Sequence, residues 1–531
     1  MLRSASPLLS IPFQNTTSPM LSQLFQIVQF LREEAGLIWT CVALVLFVYL
    51  LLPKPTYSTN VKVPTVKFGS PWIPEILNRI LFNTYAPSVI YDGYSKYKKS
   101  AYKILKPDGD LVVLSTKYAE ELRQLPSSTL NALEATFTDH VGEYTTILTD
   151  SHLHTEAIQK RLTPAIGRLI PRITSELDYA FEVEFPRCDD KFVAINPYEV
   201  FLRLVARVGA RIFIGDELCR EEKWLNASIA YTKDIFLTIA LMRPLPGFLH
   251  PIVGRILPSS RSLDRQLVYV KEELLGPVIE KRRRMEAASD PNYEKPDDFL
   301  QWMMDLAKTE NESHPHNLAQ RLLGITSMAV VHTSAMSLTH ILYDLLVMPH
   351  WLQPLLDEIR TQVPDWKNVT QAELNNLKLM DGFLKESQRL NPPGELAFHR
   401  VVKHDLTLSD GLLLPKGTHI CMASGPISRD PEVVGDPEVF DAYRFIKQNT
   451  ATSGFVSTGP NNMHFGLGRY ACPGRFFASF VMKLILSRFL MEYEFRFSTE
   501  QKERPKNLLI GDKIVPNVST AILIKKRVSD V

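Results

Sequence analysis

The chain has 531 residues, more than a usual single domain, and its 45% hydrophobic content suits a large packed core, which excludes disordered and collagen-like classes. Lysine and arginine (60) nearly balance aspartate and glutamate (58), and a net charge of +2 is too even to draw nucleic acid by bulk electrostatics. The five cysteines, Cys41, Cys188, Cys219, Cys421 and Cys472, include no C-x-x-C pair, a usage that fits free thiols in a reducing compartment.

In chain order, the first expected element is Ala35–Leu52, 18 residues without a charge, ended by Pro53 and just long enough to span a bilayer. Acidic Glu33 and Glu34 precede it and bulky leucines close it, which argues for an uncleaved anchor over a signal peptide. Lys54, Lys62 and Lys67 follow, so the positive-inside rule puts residues 1–34 on the lumenal side and the large C-terminal part in the cytosol. On the lumenal side Asn15-Thr16-Thr17 is a glycosylation sequon. A Pro-containing linker (53–70) leads to the cytosolic domain (71–531). There, Ala101–Thr116 alternates polar and apolar residues around Asp108-Gly109, predicting a hairpin.

Helical periodicity dominates from about Tyr118 to Val363. Within it, Leu322–Tyr343 carries no Asp, Glu, Lys or Arg, but its many hydroxyls and two histidines, His332 and His340, argue against lipid. A helix from Asn317 to Met348, about 48 Å long at ~1.5 Å per residue, would instead cross the core of a large domain. Glu386 and Arg389, three apart on the next helix, share one face and can pair. Beta content returns over Arg400–Met422, with turn signals at Ser409-Asp410-Gly411 and Pro415-Lys416-Gly417, and again at "TAILIKK". The expected class is mainly α with a minor β region (α+β).

The stretch "HFGLGRYACPGRFFASF", His464–Phe480, places one cysteine among glycines at the start of a helix. A buried thiolate needs a cation and backbone N–H donors, which small neighbours such as Gly466, Gly468 and Gly474 leave accessible, and the helix from Arg475 aims its positive end at the sulfur. One thiolate cannot hold zinc alone, but it is enough for a haem iron, whose equatorial positions the porphyrin fills.

Phe465 to Gly474 closely resembles the haem-binding signature of the cytochrome P450 family, F-G-x-G-x-R/H-x-C-x-G. The resemblance implies a P450 fold in which Cys472 is the axial iron ligand, Phe465 packs near the sulfur, and Gly468 and Gly474 allow the loop to approach the porphyrin. Tyr470 stands where the family has a basic residue for a haem propionate, so Tyr470 is expected to offer a hydroxyl and Arg469 the charge. Pro437, Phe440, Arg444 and Phe445 resemble the family's meander, with Ala442 for its second proline, which makes Glu386, Arg389 and Arg444 a structural triad. On the long helix, Ala329-Val330-Val331-His332-Thr333-Ser334 resembles the oxygen-side motif. Thr333 aligns with its threonine, and His332 replaces its acid as a proton relay or a member of a polar network.

By this resemblance the chain is a membrane-anchored monooxygenase of the endoplasmic reticulum, akin to fungal secondary-metabolite members such as ent-kaurene oxidase-like and indole-diterpene oxidases. Its cofactor would be haem b. No dinucleotide fingerprint is present, so electrons would come from NADPH through a separate membrane-bound reductase, met by basic charge at Arg469, Arg475 and Lys483. The substrate would be lipophilic, a terpenoid or polyketide-derived intermediate, in a pocket drawing on Ala329, Leu396, Ala397 and Phe398. Two alternatives stand beside this reading: a haem-thiolate isomerase or dehydratase needing no reductase, and a non-catalytic haem or sterol carrier.

Overall fold

A computed structural model describes residues 59–528, apart from 71, 148–150, 246, 289–290, 448–452 and 499–500. The expected lumenal segment (1–34), the Asn15 sequon, the span Ala35–Leu52 and linker residues 53–58 lie outside the described residues.

Helix α1 (Glu75–Tyr97) and a six-stranded sheet form the N-terminal side. The strands are β1 (Thr65–Val66), β2 (Ala101–Leu105), β3 (Asp110–Leu114), β4 (Leu130–Asn131), β5 (Ala397–Val402) and β6 (His419–Met422), in the order β1-β2-β3-β6-β5-β4. As expected from Asp108-Gly109, β2 and β3 are an antiparallel hairpin, Ala101 facing Leu114 and Leu105 facing Asp110. Strand alternation sorts their side chains. Tyr102, Ile104, Leu111 and Val113 pack under Phe82, Ala86, Val89 and Ile90 of α1, while Ala101, Val112 and Leu114 join Ile420 and Met422 on the other face. The pairing of β5 with β6 is interrupted between Ala397 and Arg400, where Phe398 takes φ 60°. That irregularity re-aims the residues after it.

The helical body is built on α2 (Thr163–Glu184), α3 (Pro197–Phe213), α4 (Glu222–Met242), α5 (Pro315–Val347), α6 (Lys378–Leu390) and α7 (Arg475–Glu492). Asn196 caps α3, its side chain accepting from the N–H groups of Tyr198 (3.1 Å) and Glu199 (3.4 Å), and Pro197 fits the first turn. Two short strands, Leu130–Asn131 and Val193–Ile195, interrupt the stretch read as helical because each is too short to show a period.

Helix α5 is the 33-residue helix expected through the core. Thr326, Ser327, Ser334, Thr339 and His340 are all buried against protein. Four of its hydroxyls are satisfied internally, Thr326, Thr333, Ser337 and Thr339 each donating to the carbonyl four residues back, while the buried Ser327 Oγ has no partner among the described residues. Residues Ile325–His332 widen into a π-helical segment, a local device common at functional sites. Although the helix is central, Ala329 and Thr333, one turn apart, are exposed, and Ser337 one turn further is half-buried. An open stripe inside a core means that α5 borders a space no side chain fills.

Candidate functional site

The loop before α7 is folded by its own backbone. Cys472 N–H donates to the Phe465 carbonyl (2.7 Å) and Gly466 N–H to that of Met463 (2.7 Å). Gly466 and Gly468 have φ of 76° and 67°, and a Cβ on Gly468 would strike the Arg123 carbonyl, which also accepts from Arg469 N–H at 3.2 Å. The backbone N–H groups of Gly474 and Arg475 hydrogen-bond to Cys472 Sγ. Burial pushes the thiol pKa up, while these two donors and the Arg475 charge oppose the rise. Gly474 itself has an ordinary φ of −84°, so its contribution is the N–H and the lack of a side chain. The Phe465 ring stands edge-on to Phe455, centroids 5.2 Å apart.

Beside this loop lies an unbalanced charge. Arg400 on β5 is 6% exposed, with its guanidinium over the rings of Phe398 (4.2 Å) and Tyr470 (4.7 Å), yet its hydrogen bond goes to the His399 carbonyl and no carboxylate pairs with it among the described residues. Desolvation lowers its pKa from 12.5 to about 10. The buried hydroxyl of Tyr470 has no partner either. A guanidinium and a phenol left unpaired together are a receptor for an anion. Sequence reasoning gave this charge to Arg469, whose side chain is exposed in the structure. The signal for Arg400 was an arginine inside the apolar run "LAFHRVV".

The structure brings Glu386, Arg389 and Arg444 together. Arg389 forks onto the Glu386 carboxylate through Nε (2.8 Å) and Nη2 (2.7 Å), and Arg444 Nε donates to it at 3.1 Å. The Glu386 side chain is 0% exposed, and Asp441 N–H adds a fourth donor at 3.1 Å. Arg389 Nη1 donates to the Pro437 carbonyl (2.6 Å) and Arg444 Nη2 to that of Val439 (2.7 Å), so the triad clamps the meander onto α6.

On α5, Thr333 Oγ1 donates to the Ala329 carbonyl (2.7 Å), which leaves its lone pairs free on the open stripe. His332 is turned away from that role: its ring accepts from the Tyr198 hydroxyl of α3 (Nδ1, 3.0 Å) and donates to the Ile229 carbonyl of α4 (Nε2, 2.9 Å). Both nitrogens are committed and burial lowers the pKa to about 4, so the relay half of the expectation gives way to the polar-network half. Leu396 and Phe398, each 4% exposed, are packed in the two sheet-face clusters, whereas Ala397 is half-buried and Ala329 exposed. Lys483 is likewise corrected. It is 3% exposed, bonded to Asp381 and the Leu374 carbonyl at 2.8 Å each, and presents nothing to a partner.

A lone cysteine carrying two backbone donors, a buried cation with no carboxylate partner against the phenol of the same loop, and a core helix with an open hydroxyl-bearing stripe are the features a haem-thiolate enzyme would need. The family model for cytochrome P450 matches residues 77–520, and the chain belongs to that family. It is 80% identical over 514 residues to cytochrome P450 monooxygenase janP of Penicillium janthinellum, covering 97% of this chain and 100% of that protein. It is 78% identical to cytochrome P450 monooxygenase paxP of Penicillium paxilli (94% and 97% covered) and 42% to idtP of Claviceps paspali (88% and 94%). The chain is a cytochrome P450 monooxygenase, and membership of the family implies haem and electrons supplied by a reductase.

Proposed function

We propose that this enzyme is an endoplasmic-reticulum monooxygenase that oxidises a lipophilic terpenoid, with indole-diterpenes the first class to test and polyketide-derived molecules the second. The observation that carries the site assignment is the unpaired Arg400 guanidinium beside the orphaned Tyr470 hydroxyl, since the carboxylates of haem b would satisfy both where no protein carboxylate does. Haem, when bound, supplies the iron at which dioxygen is reduced and a C–H bond of the substrate is oxidised.

The chain's own residues do the rest. Cys472 would hold the iron by its sulfur, and the Gly474 and Arg475 N–H groups favour the anionic sulfur against the upward push of burial, so that the iron's charge would complete its stabilisation. Phe465 walls the sulfur from water, and the triad of Glu386, Arg389 and Arg444 fixes the meander that leads into the loop. Thr333, its O–H hydrogen-bonded to the Ala329 carbonyl, has lone pairs free on the open stripe and would hold a water by accepting its hydrogen bond, a source of protons for the reaction. Ala329 and Ala397 leave room for an apolar substrate. Electrons come from NADPH through a membrane-bound reductase, and Ala35–Leu52 anchors the chain beside it with the catalytic part in the cytosol.

The test is expression with a reductase in a fungal host. Carbon monoxide added to reduced protein should give the strongly red-shifted Soret band of a thiolate-ligated haem, lost in C472A. NADPH-dependent mass gain on an indole-diterpene should track that band. A C472A protein that keeps band and turnover would sink the site assignment. Product formation without NADPH or reductase would favour the isomerase reading, and a carrier would bind ligand with no turnover.

A further inference from the structure

Both ring nitrogens of His332 are committed to Tyr198 and Ile229, so the residue beside Thr333 has no proton to hand it. Helix α5 carries other polar groups on the face of Thr333 itself. Beyond the π-helical segment, at about 100° per residue, Ser337, His340 and Asp344 fall with Thr333 into one stripe about 60° wide. Exposure falls along it: Thr333 is exposed, Ser337 half-buried, His340 4% and Asp344 3% exposed. The stripe therefore runs from the open space into the core, where every polar group needs a partner.

At its inner end most of those partners are fixed. Arg504, in the segment before the short strand Leu508–Ile510, gives Nε to Asp344 Oδ1 (2.6 Å), Nη1 to Asn507 Oδ1 (2.8 Å) and Nη2 to His340 Nδ1 (3.1 Å). Asp344 Oδ2 accepts from Ser387 of α6 (2.5 Å) and from Asn391 (3.4 Å). A guanidinium only donates, so Nδ1 is the accepting nitrogen of His340 and the hydrogen of the neutral ring sits on Nε2. Burial and the Arg504 charge keep the ring neutral, its pKa lowered to about 3. The Nε2–H so assigned has no acceptor among the described residues, although the side chain is buried. A buried donor in that state is the mark of a water site.

Ser337 supplies the second contact that such a water needs. It lies one turn N-terminal to His340, the direction in which helical side chains lean, and its hydroxyl donates to the Thr333 carbonyl at 3.0 Å, leaving its lone pairs for a donor. A water that accepts from Nε2–H has both hydrogens to give. One meets Ser337 Oγ, and the other continues along the stripe to the water held by Thr333, which lies about 10 Å from His340 along the axis, less the reach of the imidazole. Every bond then points one way, from Arg504 through His340 to the water and on to Thr333, and a chain headed by a cation polarises its members in turn. We propose, on the haem-thiolate reading of the site, that His340 is a positioning residue which, fixed by Arg504, holds a buried water against Ser337 and aims its hydrogens at the Thr333 end of the site. His340 keeps its own proton throughout; its water makes the one at Thr333 a better donor, the part His332 cannot take.

The experiment uses the full-length holoenzyme, reduced, with carbon monoxide as the probe, read by infrared: its stretching band falls in frequency when a hydrogen-bond donor faces it. His340→Leu and Ser337→Ala should each move the band to higher frequency and abolish its displacement between light and heavy water, and the double variant should go no further than either. His340→Gln, whose amide accepts from Arg504 and donates to the water, should restore the unaltered band. If His340 only ties α5 to the C-terminal segment, His340→Leu will lower stability in urea and leave the band in place, which overturns the proposal; a band that moves in His340→Leu but not in Ser337→Ala overturns it equally. Where His340→Leu does not fold, a crystal structure of the unaltered enzyme decides. It should show a water hydrogen-bonded to both His340 Nε2 and Ser337 Oγ, and an Nε2 bonded to protein or to nothing sinks the water site. The Soret band with carbon monoxide is recorded in parallel: if the unaltered enzyme lacks the thiolate-type band, the haem-thiolate reading fails, while the crystal structure still decides the water.

Discussion

Replacing Arg400 by Met should move two measurements in opposite directions. In the structure the Arg400 guanidinium is 6% exposed and no carboxylate among the described residues pairs with it, and its pKa falls from 12.5 to about 10. At about 1.4 kcal/mol per pKa unit, burying that charge costs ~3 kcal/mol. Two ring faces, Phe398 and Tyr470, return about 0.5–1 kcal/mol each. Arg400→Met should therefore leave haem-free protein unharmed or more stable, by about 1–2 kcal/mol in urea unfolding. The holoprotein should lose charge-assisted hydrogen bonds to the haem carboxylates, worth ~3 kcal/mol with the relief of desolvation included, and release haem ~100-fold faster to excess apomyoglobin. Arg400→Lys keeps the charge but not the fork and should fall between. A variant that destabilises haem-free and holo protein equally, or one that leaves haem release unchanged, would show Arg400 to be a packing residue and refute the anion-receptor argument.

Glu386→Gln leaves two arginines facing a neutral amide inside the fold; we expect a loss of about 3–5 kcal/mol in thermal or urea unfolding and little holoprotein with the red-shifted carbon monoxide band, against wild-type behaviour if the triad is dispensable. Gly468→Ala meets both a φ of 67° and the Arg123 carbonyl, so it should destabilise haem-free protein by ~2 kcal/mol or more, whereas Gly474→Ala, at φ −84° with nothing within 4 Å of its Cβ, should change it by less than ~1 kcal/mol. For His332 the sign follows from its lowered pKa: the folded ring stays neutral down to about 4 while the unfolded one takes a proton below 6.5, so its stabilisation is complete above 6.5 and is lost as pH falls towards 4. The full loss is ~3 kcal/mol. His332→Gln should flatten the fall in unfolding free energy between pH 7.5 and 5, and an unaltered slope would show that the ring is not held neutral by its two partners.

What the sequence disclosed and what it hid follow from the range of the interactions. The β2–β3 hairpin, the long polar-lined core helix and the cysteine loop were legible because each is written in consecutive residues: Asp108-Gly109 for the turn, an uncharged run with too many hydroxyls for lipid, and glycines whose left-handed φ the loop requires. The triad was half legible, since Glu386 and Arg389 are one helical turn apart, but the tie to Arg444 is made across 58 residues and came only with the family pattern. Side-chain direction was hidden. His332 and Thr333 are neighbours in sequence and about 100° apart on a helix, so one turns to Tyr198 and Ile229 and the other to the open stripe. Leu396 and Phe398 were assigned to the pocket from their place in the chain, but the irregularity at Phe398 packs both into the sheet faces and brings out Arg400 instead.

The same reasoning explains why charge was the hardest property to read. Arg469, Arg475 and Lys483 look alike in sequence as basic residues near the cysteine. In the fold, one is exposed, one is spent on the Cys472 carbonyl at 2.8 Å and the Val456 carbonyl at 3.1 Å, and one is buried against Asp381. A cation's role is set by which acceptors the tertiary fold supplies. Arg243 finds two aspartates, Arg389 and Arg444 share one glutamate, and Arg400 finds none. Of these arginines, the one the described residues leave without a carboxylate points to where a ligand would complete the structure, and it stands over Tyr470 in the loop of the only cysteine with two backbone donors at its sulfur among the described residues.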